Sequence, residues 1–216
     1  MTNDFMVQIT ENSVIHVVDD DASFRRSLVF LLESLGWPVQ AHASAADFLA
    51  ACPAPPDDFG CLVLDIRMPG MNGLELQQAL RARGWTPAVV FMTGHGDVEL
   101  AVQAMKQGAF DFLEKPFRDQ ALLDTVAAAV RHGGEQRATE QRREQAQALL
   151  DRLSPREREV ARLVALGLPN KLVARKLEIS EKTVHVHRQH VMEKTEVGSA
   201  AELARLMLRI DPRALD

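Results

Sequence analysis

Cysteine is nearly absent from this chain: Cys52 and Cys61 are the only two in 216 residues. Two thiols are too few for a disulfide framework or a four-ligand zinc site. Also missing is any apolar run near the ~18–20 residues that span a bilayer. The start, Met1 to Asn12, is polar and acidic. It lacks the basic opening and apolar middle of a secretory signal. A cytosolic chain with no membrane segment is therefore expected.

What is present is a globular composition, 46% hydrophobic and 25% charged, in a length that suits one or two domains. The net charge of −5 conceals an asymmetry. Residues 1–130 carry 8 Lys and Arg against 17 Asp and Glu, a net −9, and residues 131–216 carry 17 against 13, a net +4. An acidic half followed by a basic half points to two jobs, the second with an anionic partner.

The acidic half alternates short apolar runs with helical patterns. Strand-like runs are Val14–Val18, Val39–Ala41, Cys61–Leu64, Ala88–Met92 and Ala109–Phe112. Helix-like stretches are Ala22–Leu35, Ala45–Ala50, Gly73–Arg83, Asp97–Gln107 and Asp119–Arg131. Within Asp97–Gln107, Val98, Ala101, Val102 and Met105 follow helical spacing. Repeated β-α units predict a doubly wound, five-stranded parallel sheet with helices on both faces. Ligands in such folds sit outside the carboxyl ends of the strands.

Chemistry gathers at that edge. The first strand runs into Asp19 and Asp20, with Asp21 placed to cap the next helix, and the third ends on Asp65. Strands one and three can be neighbours in a doubly wound sheet. Three carboxylates brought together repel unless a hard cation joins them, and Mg²⁺ fits such oxygen ligands. The fourth strand leads to the Thr93 hydroxyl and the fifth to the Lys115 ammonium. A carboxylate nucleophile, magnesium, a hydroxyl and a lysine are the parts needed to accept a phosphoryl group.

Residues His132–Arg152 are polar, charged and free of aromatics, and read as a linker that becomes helical after Gly134. Beyond it no strand pattern appears. Pro155–Leu166, Asn170–Leu177, Glu181–Thr195 and Ser199–Leu208 read as four short helices, with Ser154, Ser180 and Ser199 suited to N-caps and Gly167 to a C-terminus. Asn170–Leu177 and Glu181–Thr195 flank the turn Ile179-Ser180, the pattern of a helix-turn-helix. With Val184 placed inward, helical geometry puts Val191 and Thr195 beside it. Lys182, His185, Val186, Gln189 and Glu193 then point away, with Thr183 and His190 on the flanks. Lysine suits phosphate, glutamine suits adenine edges and valine suits a thymine methyl. The competing reading makes this half a protein-binding module. His187 and His190 stand at a metal-compatible spacing, but no cysteine or spare carboxylate accompanies them. Cys61 reads as an inert buried thiol, and Trp37 and Trp85 as packing on edge surface near turns.

Two stretches resemble known families. Residues 14–117 resemble the receiver domain of two-component response regulators, through Val-Val-Asp19-Asp20, Leu-Asp65-Ile-Arg-Met-Pro69-Gly-Met-Asn-Gly73, Thr93-Gly-His-Gly-Asp97 and Lys115-Pro116. The resemblance implies a flavodoxin-like fold and phosphorylation of Asp65 by a sensor histidine kinase. It further implies Mg²⁺ held by Asp20, Asp65 and the backbone carbonyl of Arg67, with Asp19 in the acidic pocket. Lys115 would pair with the phosphate, Thr93 would move to bond it, and Phe112 would change rotamer. An aspartyl phosphatase is the competing chemistry, but such enzymes place a second acid two residues after the nucleophile, where this chain has Arg67.

Residues 153–209 resemble the LuxR-type DNA-binding domain, through Leu153-Ser-Pro-Arg-Glu-Arg-Glu-Val160, Gly167-Leu-Pro-Asn-Lys171 and Ile179-Ser-Glu-Lys-Thr-Val184-His-Val-His187. Together they imply a NarL/FixJ-type regulator, nearer the FixJ side: receiver at 12–131, linker at 132–152, helix-turn-helix domain at 153–216. The expected DNA contacts are Lys182, Thr183, His185, Val186, Arg188, Gln189 and His190. Double-stranded promoter DNA and RNA polymerase are the expected partners, with a homodimer on phosphorylation and Ser199–Leu208 as the family's dimerisation helix. The face of the fourth and fifth helices and fifth strand would be remodelled, and would either dimerise or release the DNA-binding half. The protein would be a regulator and not an enzyme, beyond losing its own phosphoryl group.

Overall fold

The structure is a computed structural model that describes residues 13–94 and 98–215. Asn12 and the His95, Gly96 and Asp97 of the Thr93–Asp97 phrase, on which parts of the reading above rest, lie outside the described residues. The chain divides into two units, one ending at Gln136 and the other beginning at Arg137.

The first unit follows the order β1 (Val14–Val18), α1 (Ala22–Glu33), β2 (Val39–His42), α2 (Ala45–Ala51), β3 (Phe59–Asp65), α3 (Gly73–Ala82), β4 (Val89–Thr93), α4 (Val98–Lys106) and β5 (Asp111–Glu114). The helix α5 (Asp119–Asp151) follows, and the division between units falls within it. All five strands pair in parallel in the order β2-β1-β3-β4-β5, so β1 and β3 are neighbours with Val18 opposite Leu64. Burial on both faces explains the continuous apolar runs. On β3, Leu62 and Leu64 join a core with α2, α3 and α4, while Cys61 and Val63 join another with α1 and α5. Each such buried side chain contributes about 1.5–3 kcal/mol relative to exposure.

Several local expectations shift. The last strand begins at Asp111 instead of Ala109, because Gly108 turns at φ +82° and the Ala109 N–H closes back on the Ala104 carbonyl. On α4 the inward residues are Ala101 and Ala104, whereas Val102 and Met105 face solvent at 48% and 40% exposure. Trp85 is core, stacked against Phe48 and edge-on to Phe59. Helix α5 does not pause at Gly133-Gly134. Two glycines weaken a helix interior. At Gly133, however, a Cβ would stand 2.9 Å from the Gly60 carbonyl, so close packing on β3 requires the smallest residue there.

The second unit contains the end of α5 and then α6 (Pro155–Ala165), α7 (Asn170–Leu177), α8 (Glu181–Thr195) and α9 (Ala200–Ile210). Ser154, Ser180 and Ser199 cap α6, α8 and α9 through their hydroxyls. Val160, Val164, Val173, Val184, Val191 and Leu203 form its core. No helix among the described residues is long and apolar enough to cross a membrane.

One buried polar feature carries a pH consequence. His16 on β1 and His42 on β2 stack with centroids 5.4 Å apart and are hydrogen-bonded between Nδ1 of the first and Nε2 of the second at 3.2 Å. Phe48, Phe59 and the Cys52 thiol surround them. Burial, then the charge of His42, pushes His16 down from 6.5 to about 4, against the pull of Asp58. Burial lowers His42 as well, opposed by Asp47. A depressed histidine stabilises the fold fully above its unfolded value and loses that contribution as pH falls through the folded value. The melting temperature of the first unit should therefore drop between pH 6.5 and about 4. In His16→Leu that slope should flatten, measured by tryptophan-fluorescence melts across the range.

Candidate functional site

Sheet order brings the acids and the lysine together. Asp65 closes β3 and is 8% exposed, and Asp19 follows β1 and is 1% exposed. Lys115, just past β5, reaches across both: its Nζ donates to Asp19 Oδ2 at 2.8 Å and to Asp65 Oδ1 at 2.7 Å. The Lys115 N–H donates to the Thr93 carbonyl at 2.8 Å, which holds this residue beside the end of β4. Gly73, the first residue of α3, packs so close to the Asp65 carbonyl that any Cβ would overlap it. Asn72 and Glu75 close a reciprocal capping box there.

Electrostatics set the chemistry. Burial raises the Asp65 carboxyl above its ordinary range, Asp19 and Asp20 push the same way, and the Lys115 hydrogen bond opposes them. Burial would lower Lys115, but its hydrogen bonds to Asp19 and Asp65 prevail and raise it. Asp20 is exposed and acts on Asp65 through charge. Two carboxylates thus share one ammonium while Asp20 adds a third negative charge, and the surplus charge with hard oxygen donors fits a divalent cation such as Mg²⁺. Among the described residues no three acidic, histidine or cysteine groups complete a metal site by themselves. The remaining ligands would be backbone oxygen, water or phosphate.

Other expected residues stand at the same edge without joining the ion pair. Thr93 ends β4, 3% exposed, with its hydroxyl donating to the Gly94 carbonyl at 2.9 Å. Phe112 on β5 is 42% exposed, and the Arg67 side chain is exposed two residues past Asp65. Two contacts were not legible in the sequence. The Arg25 Nη1 donates to the Asp19 carbonyl at 2.5 Å, and the Lys115 ammonium lies 4.2 Å from the centroid of the Phe24 ring. Only the placement of the first turn of α1 beside Asp19 brings them there.

On α8 the exposed face carries Lys182, His185, Val186, Gln189 and Glu193, with Val184, Val191 and Thr195 buried. Gln189 donates to Glu193 at 3.0 Å. The remaining candidates bond residues of their own domain. Thr183 bonds the capping Ser180, Arg188 donates to Asn170 at 3.3 Å, and His190 Nδ1 lies 3.6 Å from Glu157 Oε1. The Nδ1 of His187 is buried with no hydrogen-bond partner. Glu157 also accepts from Lys194 at 2.7 Å, and that bond, opposed by burial and aided by Ser154, lowers its carboxyl to about 2.

A cluster of acids bound by one lysine on a 2-1-3-4-5 sheet, with a helix-turn-helix in the same chain, fits the class of signalling proteins that join a receiver to a DNA-binding module. The family described as "Response regulator receiver domain" matches residues 15–127, and "Bacterial regulatory proteins, luxR family" matches 151–207. The chain is 50% identical to the transcriptional regulatory protein FixJ of Azorhizobium caulinodans over 92% of this chain and 93% of that one. It is 46% identical to the C4-dicarboxylate transport transcriptional regulatory protein DctR of Rhodobacter capsulatus, over 89% and 98%. Among solved structures, the response regulator StyR superposes with a TM-score of 0.80 at 44% identity, covering 90% of this chain and 98% of that one. Full-length FixJ from B. japonicum gives 0.58 at 45%, covering 93% and 98%. The chain belongs to the response regulators that join a receiver to a LuxR-type domain, and it is a DNA-binding transcription regulator of a two-component system. Its receiver implies a sensor kinase as partner.

The raised Asp65 carboxyl makes a stability prediction. A carboxyl raised in the fold contributes fully below its unfolded value of 3.8 and loses that contribution as pH rises through the folded value. At neutral pH the ionised Asp65 therefore costs stability. Asp65→Asn keeps an oxygen for Lys115, which also retains Asp19. Its melting temperature at pH 7 should rise, because an amide escapes the desolvation cost of a buried carboxylate. A marked fall in calorimetry would show that the ion pair outweighs the cost of burial.

Proposed function

We propose that Asp65 is the phosphoacceptor. An Asp65 oxygen attacks the phosphorus of the kinase phosphohistidine, the O–P bond forms, and the P–N bond breaks with its electron pair leaving on the imidazole. The observation that carries this reading is the single ammonium, Lys115, held between Asp19 and Asp65 at the carboxyl edge of the sheet. Lys115 stabilises the charge that develops on the phosphoryl oxygens. Asp20, Asp65 and the Arg67 carbonyl, with Asp19 nearby, would hold Mg²⁺, which supplies further neutralisation of that charge. Thr93 would exchange its bond to the Gly94 carbonyl for the phosphoryl group, and Phe112 would follow by changing rotamer. The receiver spans residues 12–131, the linker 132–152 and the DNA-binding domain 153–216.

Two exposed apolar features support dimer formation on phosphorylation. Val102 and Met105 on α4 and Phe112 on β5 are exposed apolar residues of the first unit, and Leu208 on α9 is one of the second. The α8 stripe of Lys182, His185, Val186 and Gln189 reads promoter DNA, with Thr183, Arg188 and His190 shaping the groove-facing helix. RNA polymerase is the partner through which such binding changes transcription. The aspartyl phosphate would be lost by slow autodephosphorylation, and the DNA target places the protein in the cytoplasm.

Acetyl phosphate with Mg²⁺ should label the wild type, and Asp65→Asn should take no label. Asp20→Ala should weaken Mg²⁺ binding and labelling together, and EDTA should abolish labelling. Acid-stable, hydroxylamine-resistant label on Asp65→Asn would remove the aspartyl phosphate.

In gel shifts on selected promoter fragments, Lys182→Ala should weaken binding to all sequences and lower the salt slope by about one unit. Gln189→Ala should relax discrimination at one base position by about 1–3 kcal/mol. Absence of any retardation beyond the non-specific level would make the basic half a protein-binding module.

A further inference from the structure

Lys115 has a third neighbour besides its two carboxylates. Its ammonium lies 4.2 Å from the Phe24 ring centroid, inside the ~6 Å over which a cation is drawn to an aromatic face. The ring sits on a fixed platform. Phe24 is the third residue of α1, and its N–H donates to the capping Asp21 at 3.1 Å. Arg25 ties the same turn to the Asp19 carbonyl. Phe117, two residues beyond Lys115, meets Phe24 with centroids 5.9 Å apart and planes at 66°, and both rings pack against the core beneath α1 and α5. The aromatic pair therefore joins the two chain segments that carry Asp19 and Lys115.

A lysine stem has several rotatable bonds, and its ammonium is strongly hydrated. Two carboxylates fix it by hydrogen bonds, and each of those bonds must loosen when new phosphoryl oxygens arrive. The ring face attracts the ammonium without offering an oxygen that competes for its protons. It also occupies the side from which water would otherwise solvate the charge.

We propose that Phe24 is a positioning residue for phosphoryl transfer: its ring holds the Lys115 ammonium at Asp65 while hydrogen bonds pass from carboxylate to phosphoryl oxygen. The proposal rests on the reading of Asp65 as phosphoacceptor and Lys115 as its charge partner. In the transfer the Asp65 O–P bond forms as the donor's bond to phosphorus breaks and its electron pair leaves with the donor. The ammonium acts on charge that develops then. Loss of its placement should lower the maximal rate and leave donor binding alone.

The experiment uses the full-length protein, acetyl phosphate and Mg²⁺, and compares Phe24→Leu and Phe24→Met, which keep apolar bulk, with Phe24→Tyr, which keeps the ring face. The leucine and methionine variants should lower the maximal labelling rate roughly two- to fivefold, the size of one cation–π contact. The acetyl phosphate concentration at half-maximal rate should not change, and Phe24→Tyr should label near the wild-type rate. Should the leucine protein fail to fold in fluorescence melts, the methionine protein carries the comparison. Wild-type rates in the apolar variants, or a tyrosine variant as slow as they are, would overturn the role of Phe24. Asp65→Asn runs in parallel: label retained there overturns the underlying phosphoacceptor reading, whereas Asp65-dependent labelling that ignores position 24 overturns only this inference.

Discussion

The ammonium of Lys115 is the interaction that holds the acidic strand ends of the first unit together. It joins residues that are 96 and 50 positions away in sequence, Asp19 and Asp65, at 2.8 and 2.7 Å. Without a cation at that point the carboxyl edge of β1 and β3 would hold several acids in mutual repulsion. The burial that raises Asp65 is the same burial that makes the site responsive. A carboxylate already costly to keep charged gains from any group that spreads or neutralises its charge. The strand ends thus hold a local electrostatic imbalance in place on an otherwise apolar sheet.

The second unit solves a different problem with a similar device. A recognition helix must expose one face and bury the other, and fifteen residues of α8 do so around Val184 and Val191. Glu157 of α6 fixes that helix from beneath. It receives Lys194 and faces His190 while closing the capping box with Ser154. One carboxylate therefore couples the start of α6 to the last turns of α8, and Lys182, His185, Val186 and Gln189 are left on the exposed face.

Much of this was legible in the residues. The alternation of apolar runs with helical patterns foretold the five-stranded parallel sheet, and the helices α7 and α8 run over the spans read from spacing and caps. Failures came where local pattern and packing diverge. The run Ala109–Phe112 is apolar enough for a strand, but a left-handed glycine gives its first half to a turn. Val102 and Met105 have helical spacing, and spacing alone does not say which face is inward when alanines occupy the other. Gly133-Gly134 reads as a break until Gly60 is known to lie against it.

The sequence by itself determined most of the secondary structure, the acids at the strand ends, the serine caps and the two-part design, because these follow from periodicity and short-range hydrogen bonding. Only the tertiary structure decided which of those residues meet. The strand order sets Asp19 beside Asp65 and brings Lys115 over both, and the seating of α1 puts Phe24 under the ammonium. The fold of the second unit turns Arg188 and His190 toward Asn170 and Glu157 although both sit on the recognition helix. Contacts between residues far apart in the chain depend on how layers pack, and no local rule encodes that.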